Sequence, residues 1–243
     1  MSQIRTFLAG CTTMAAALAA VVTLTGAKDG PSHAQFDEIT VGRINIVEPN
    51  GTKRLIISNR AQFPGAFEQG KEIERPDRRS FAGMLFIDEE GNENGGFIQK
   101  GSRGADGKIN AGLSLTFDRY RQDQALQLKH LNNEKNSMAG ITINDVPFFE
   151  NSSITAYGEY WKKANAIADL KEREAYWNSL VEQGKLLQNR AYLGTNGSRD
   201  SSLVLSDAKG RPRLRMAVSA AGQAIIEMLD EEGKVVKAIS ADK

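Results

Sequence analysis

The sequence predicts a mainly β protein, an antiparallel meander of hairpins with a helical insertion near 155–183 and a small C-terminal β-subdomain. Three observations carry this. Short apolar runs alternate with polar residues along most of the chain. The runs are separated by a recurring turn of the form acidic-x-x-Gly. Near residue 155 the apolar spacing changes from two to about 3.6 and later changes back.

The turn appears as Glu48-Pro49-Asn50-Gly51, Asp88-Glu89-Glu90-Gly91, Asp207-Ala208-Lys209-Gly210 and Asp230-Glu231-Glu232-Gly233. An acidic side chain at the first position can accept backbone N–H bonds within the turn, and glycine at the fourth tolerates a positive φ. Two copies extend into a longer repeat. INIVEPNGTKRLIIS (44–58) and LVLSDAKGRPRLRMAVS (203–219) align without a gap on Glu48/Asp207, Gly51/Gly210, Arg54/Arg213 and Leu55/Leu214. Both read as hairpins of one kind.

Strands are expected over 38–47, 53–58, 82–87, 96–100, 112–117, 123–130 and 138–144. Leu113, Leu115 and Phe117 lie on one face, and Ser114, Thr116 and Asp118 on the other, which fits a sheet with one wet face. Residues 60–80 contain Pro64, Gly65, Gly70 and Pro76 with several basic residues, and read as a long loop. GSRGADG (101–107) lacks the strand-to-helix setting of a phosphate loop and reads as a hairpin connection. From 155 to 183, Tyr157, Trp161, Ala164, Ile167 or Ala168, Trp177, Leu180 and Val181 trace a helical stripe. A break near Asp169 would make two shorter helices, and Gly184 is the natural stop. Strands resume over 191–193, 202–205, 212–218, 223–229 and 235–239. This divides the chain into an N-terminal segment (1–34), a β domain (35–150), a helical connector (151–189) and a C-terminal hairpin region (190–243).

Phe7 to Ala27 is an uncharged, apolar stretch between Arg5 and Lys28. It reads either as a cleaved signal peptide, with Thr25-Gly26-Ala27 or Ser32-His33-Ala34 as the cut, or as an uncleaved membrane anchor about 31 Å long at 1.5 Å per residue. Both place residues 35–243 outside the cytoplasm, in the periplasm or at the cell surface. Leu8-Ala9-Gly10-Cys11 spells a lipobox, but the apolar run follows the Cys, which argues against acylation.

Composition excludes several chemistries. Cys11 is the only cysteine, and beyond residue 34 the only histidine is His130. Disulfides, a thiol nucleophile and a multi-imidazole zinc site have no residues to build them there. Removing Arg5, Lys28 and Asp29 from 31 basic and 30 acidic residues leaves 29 of each, so the exported part has no basic excess for nucleic acid. No cofactor motif is present.

Two polar clusters stand out. Asp88 to Gly96 offers Glu90, Asn92, Glu93 and Asn94 as oxygen ligands for a hard cation. Counting from Glu90 puts Gly95 at loop position six, but Gly101 falls where a bidentate Glu belongs, so a solvated turn is expected and no metal. Asp118 and Asp123 flank Arg119-Tyr120-Arg121-Gln122. If those four residues form a loop, the carboxylates stand opposite each other, compensated by Arg119 and Arg121. They read as structural, or alternatively as an acid/base pair. His130, on the leucine face of QALQLKH, reads as a partly buried structural imidazole. Trp161 and Trp177 read as core or interface anchors.

FDEITVGRINIVEPNGTKRLIISNR, AGMLFIDEEGNENGG and LTFDRYRQDQ resemble segments of a family of exported bacterial proteins with no assigned activity. The C-terminal GRPRLRMAVSAAG and LDEEG hairpins resemble the same family's end. The resemblance implies export and β structure and carries no active-site residues. The expected role is a non-enzymatic binding or envelope-associated module, possible as a homo-oligomer, whose partner is an envelope protein or polysaccharide. Residues 7–27 would add a membrane contact if uncleaved. The alternative is a carboxylate-dependent hydrolase of an envelope or polysaccharide substrate.

Overall fold

A computed structural model describes residues 33–150 and 154–241. The apolar stretch 7–27, Cys11 and most of the expected cleavage sites lie outside the described residues. No described helix is long and apolar enough to cross a membrane. Residues 41–243 form one compact unit.

Among the described residues fourteen strands follow in chain order: β1 (Arg43–Val47), β2 (Lys53–Ser58), β3 (Ala66–Glu68), β4 (Lys71–Ile73), β5 (Ala82–Ile87), β6 (Glu93–Arg103), β7 (Ile109–Asp118), β8 (Gln124–Asn132), β9 (Ser137–Asp145), β10 (Gln188–Thr195), β11 (Ser201–Ser206), β12 (Pro212–Val218), β13 (Ala224–Leu229) and β14 (Val235–Ser240). All but β3 and β4 join one 12-stranded sheet, and each strand pairs antiparallel with the next sheet strand in sequence. The meander is therefore present. The C-terminal strands β10–β14 continue the same sheet, because β10 pairs with β9.

The acidic-x-x-Gly turns close as the sequence requires. The Gly51, Gly91, Gly210 and Gly233 N–H groups donate to the first residue's carbonyl at 2.8, 3.1, 3.0 and 3.3 Å. Gly51 and Gly210 have φ of 87° and 76°. The acidic residue works as proposed in three copies. Asp88, Asp207 and Asp230 each use Oδ1 to accept two backbone N–H bonds, from the residues two and four further on. A four-residue turn of this kind inserts a bulge, and the pairing slips by one residue beside Val47, Ser206 and Leu229.

The stretch 60–80 is more ordered than its composition suggested. It holds two short 3-10 turns (Arg60–Gln62 and Pro76–Arg78) and the hairpin β3–β4. Gln69 and Gly70 both have positive φ, 48° and 76°, the geometry of a two-residue hairpin turn. The alternation there is only three residues long, too short to show against the surrounding Gly and Pro. This insert makes the main core. Phe67 packs on Ile56, Leu85 and Ile87, all at most 5 % exposed.

The helical insertion lies between β9 and β10 as α1 (Ile154–Ala166) and α2 (Leu170–Glu182). The chain does break near Asp169, and the break is a cap: Asp169 accepts the Glu172 N–H at 2.9 Å. Gly184, with φ 63°, ends α2 with the paired bonds Gly184 N–H to Val181 and Lys185 N–H to Leu180, both 2.9 Å. Val146, Ala164 and Leu180 are buried.

Candidate functional site

Two regions contend for the site: a polar groove beside Asp118, and one whole face of the sheet.

The groove is built from the insert and the adjoining strands. Arg78, buried in its 3-10 turn, donates to both carboxylate oxygens of Glu93 at 2.9 Å and to the Gly65 carbonyl at 2.9 Å. A shift in register between Leu85 and Ile87 sets Ile87 opposite Glu93, which aims Glu93 at the insert. Gly95 at this bulge has φ 120°, and a Cβ there would lie 2.3 Å from the Thr116 carbonyl oxygen. Asn92, also buried, donates to Asp88 and Glu90 and accepts the Gln69 N–H at 2.9 Å, so it ties the β3–β4 turn to the acidic turn. Glu90 accepts from Arg121 Nε at 2.7 Å, which holds its carboxyl below the usual range. Asn94 is exposed and lines a separate hollow with Arg54 and Glu89. The sequence grouped Glu90, Asn92, Glu93 and Asn94, but the structure sends them to different partners. Among the described residues, no three His, Cys, Asp or Glu side chains converge as a metal site.

Asp118 departs from expectation. The loop Arg119–Gln122 exists, closed by Gln122 N–H to Arg119 O at 2.8 Å, with Arg121 at φ 52°. A one-residue register shift, however, puts Gln124 opposite Asp118, and Asp123 caps the Gln124 N–H instead. The two arginines expected to compensate point elsewhere. Arg119 donates to the Val146 carbonyl and stacks over Phe148, while Arg121 engages Glu90 and the rings of Tyr120 and Phe149. Asp118 Oδ1 is buried with no hydrogen-bond partner among the described residues. Burial first, then the carboxylates of Glu93 and Asp123, push its carboxyl up to about 8, against a smaller opposing pull from Arg78.

His130 is exposed, not partly buried, and its Nε2 lies 2.9 Å from Ser137 Oγ. Its leucine face is uncovered, so the imidazole is too. Trp161 and Trp177 meet edge to face at 5.2 Å. Trp161 remains 50 % exposed beside a hollow of about 530 Å³ that Arg75, Asp123, Tyr157 and Lys185 also line.

The second region emerges only when the register of all pairs is followed. Directly opposed residues share a face. One line of pairs runs Ile44, Ile57, Met84, Phe97, Leu115, Leu128, Ile141, Leu193, Leu203, Met216, Ile226, Ile239. Every strand of the large sheet gives one apolar residue, and none is charged. A second line beside it runs Phe117, Leu126, Ile143, Ala191, Leu205, Leu214, Met228. None of these residues is buried: Leu128 is 41 % exposed, Leu193 53 % and Met216 41 %. The other face carries Arg190, Arg215, Glu227 and Lys129, together with the insert and its core. Sequence reasoning saw the alternation strand by strand. It missed that the bulged turns keep one face in phase across the sheet, a fact fixed by register.

No family model and no curated protein matches the chain.

Proposed function

We propose that the protein is an extracytoplasmic, non-enzymatic binding module of the cell envelope that works through the apolar face of its sheet. The observation supporting this is the uncharged line of twelve residues, one from each strand, none of them buried, on a sheet whose other face carries Arg190, Arg215, Glu227, Lys129 and the insert. Open apolar surface beyond a few hundred Å² is uncommon unless it meets a partner. In this reading the apolar stretch 7–27 exports the chain or anchors it, and the likeness to exported bacterial proteins points the same way.

The test is envelope association of the full-length chain. Leu128→Asp with Leu193→Asp should release it from its native complex on gentle extraction, while Asp118→Asn should stay associated. Unchanged association of the double variant would remove the face from the account. Alkaline phosphatase fused after Lys243 should be active in whole cells, and activity confined to lysed cells would refute export.

One observation favours a second reading, a carboxylate-dependent hydrolase of an envelope polysaccharide. Asp118 keeps its proton near neutral pH beside the Arg78–Glu93 pair, as a general acid would. Its expected partner Asp123 does not stand opposite it, which weakens the two-carboxylate case. Turnover of such a substrate, lost in Asp118→Asn at unchanged melting temperature, would establish this reading instead.

A further inference from the structure

Resting on the reading of the apolar face as the working surface, we infer that its occupant is a second copy of this chain, sheet face on sheet face.

The size of the face is that of a stable interface. Twelve strands about 4.8 Å apart span about 58 Å, and five residues at about 3.3 Å give a depth of about 16 Å. The resulting footprint is about 900 Å², against the roughly 800 Å² per partner of a standard protein interface. Two antiparallel sheets pack well at about 10 Å when both inner faces are apolar, as in a sandwich. Here the other half of the sandwich is missing from the chain itself among the described residues.

Charge also points to self-association. A heterologous partner is commonly selected by charges placed at defined positions. The central line has none, and in the second line the sole charge is Lys237, which extends it at the edge strand. A surface without charge meets its own copy with no like-charge penalty in any two-fold arrangement. The profile of the face suits this. Leu193, Leu203, Met216, Ile226 and Ile239 border a shallow hollow of about 520 Å³, a recess into which an opposing row of Leu and Ile side chains can fit.

A lipid bilayer is the other apolar solvent such a face could meet. Strand length argues against it. A membrane-spanning strand needs about 9–11 residues. β1 has five, and β2, β5, β11, β13 and β14 have six. The apolar band is also too shallow, at about 16 Å, for the roughly 25 Å of a membrane barrel's outer surface.

Sedimentation equilibrium on the full-length protein in mild detergent, with the detergent density-matched, gives the test. The expected mass is that of two or more chains, falling to one chain in Leu128→Asp with Leu193→Asp. Val236→Asp, an exposed residue on the opposite face of β14, should leave the mass unchanged. A single-chain mass for the unaltered protein, or an oligomer that survives the double substitution, would overturn the inference. Should the double variant misfold, the unaltered protein still decides. The melting temperature of a self-assembled protein rises with its concentration, and that of a monomer does not. A flat melting temperature across a hundredfold dilution would also overturn it. A monomer whose envelope association still depends on Leu128 and Leu193 would sink this inference and leave the working surface standing.

Discussion

The hairpins 44–58 and 203–219 are the same unit in two settings, and they differ on only one face. Ile44, Ile46, Leu55 and Ile57 in the first correspond to Leu203, Leu205, Leu214 and Met216 in the second, apolar throughout and on the uncovered face. The opposite face diverges. Ile56 lies 1 % exposed under Phe67, whereas its counterpart Arg215 is exposed and bonds Glu227 at 2.6 Å. The β3–β4 insert explains that change: under Phe67 the position is core, and in the second hairpin, which lacks the insert, it carries a charge. The uncovered face has no such cover in either setting, yet it stays apolar in both. Local folding does not require that, and the proposed partner on this face would account for it.

The turns tell the same story. Arg54 bridges Glu48 at 3.3 Å and Glu89 of the neighbouring turn at 3.5 Å. In the second hairpin Arg211 bridges Asp207 and Glu231 at 2.7 Å, again joining two adjacent turns. Arg211 holds the Asp207 carboxyl down to about 2. The sheet's end is thus a ladder of acidic turns stitched by arginines in both regions.

The contrast can be broken from the covered side first. Arg78→Leu leaves Glu93 unpaired beside the insert and should cost about 3–5 kcal/mol of stability by denaturant titration. Arg211→Leu at the open ladder should barely move the midpoint. Equal losses would mean that the insert confers no special burial. Next, Ile56→Ala should cost about 2–5 kcal/mol. Met216→Ala, on the uncovered face, should stay within about 0.5 kcal/mol at high dilution.

Asp118 sharpens the comparison through pH. Its folded pKa is raised, so the native state holds the proton more tightly than the unfolded chain. Its stabilising contribution is complete below about pH 4 and is lost as the pH rises through about 8. Asp118→Asn should abolish that decline and be more stable than the parent at pH 9, on the order of 2 kcal/mol. Identical pH profiles would show that the carboxyl is not desolvated. One effect is shared by both settings. Gly51→Val and Gly210→Val should each cost more than about 1 kcal/mol, because both positions need positive φ whatever covers the strands. A loss at only one of them would separate two turns that the repeat equates.

Much of this fold was legible because its signals are local. Turn acids, turn glycines and the Gly184 stop each act within a few residues, and they marked the meander and the end of the helical insertion. What escaped depended on distant partners. The β3–β4 hairpin is held by Phe67 meeting Ile56 and Leu85, and by Asn92 reaching Gln69. The partnering of Asp118 hinged on a one-residue bulge that no periodicity displays. The apolar face required all the registers together.

Methionine oxidation tests the central claim most directly. Met216 and Met228 lie on the uncovered face, 41 % and 42 % exposed in the single chain. Brief peroxide treatment of the native protein at working concentration, read residue by residue by mass spectrometry, should find both protected, and protection should vanish on high dilution or in Leu193→Asp. Oxidation of Met216 and Met228 at the rate of open methionines at every concentration would contradict the account, because the face would then be uncovered in solution as well.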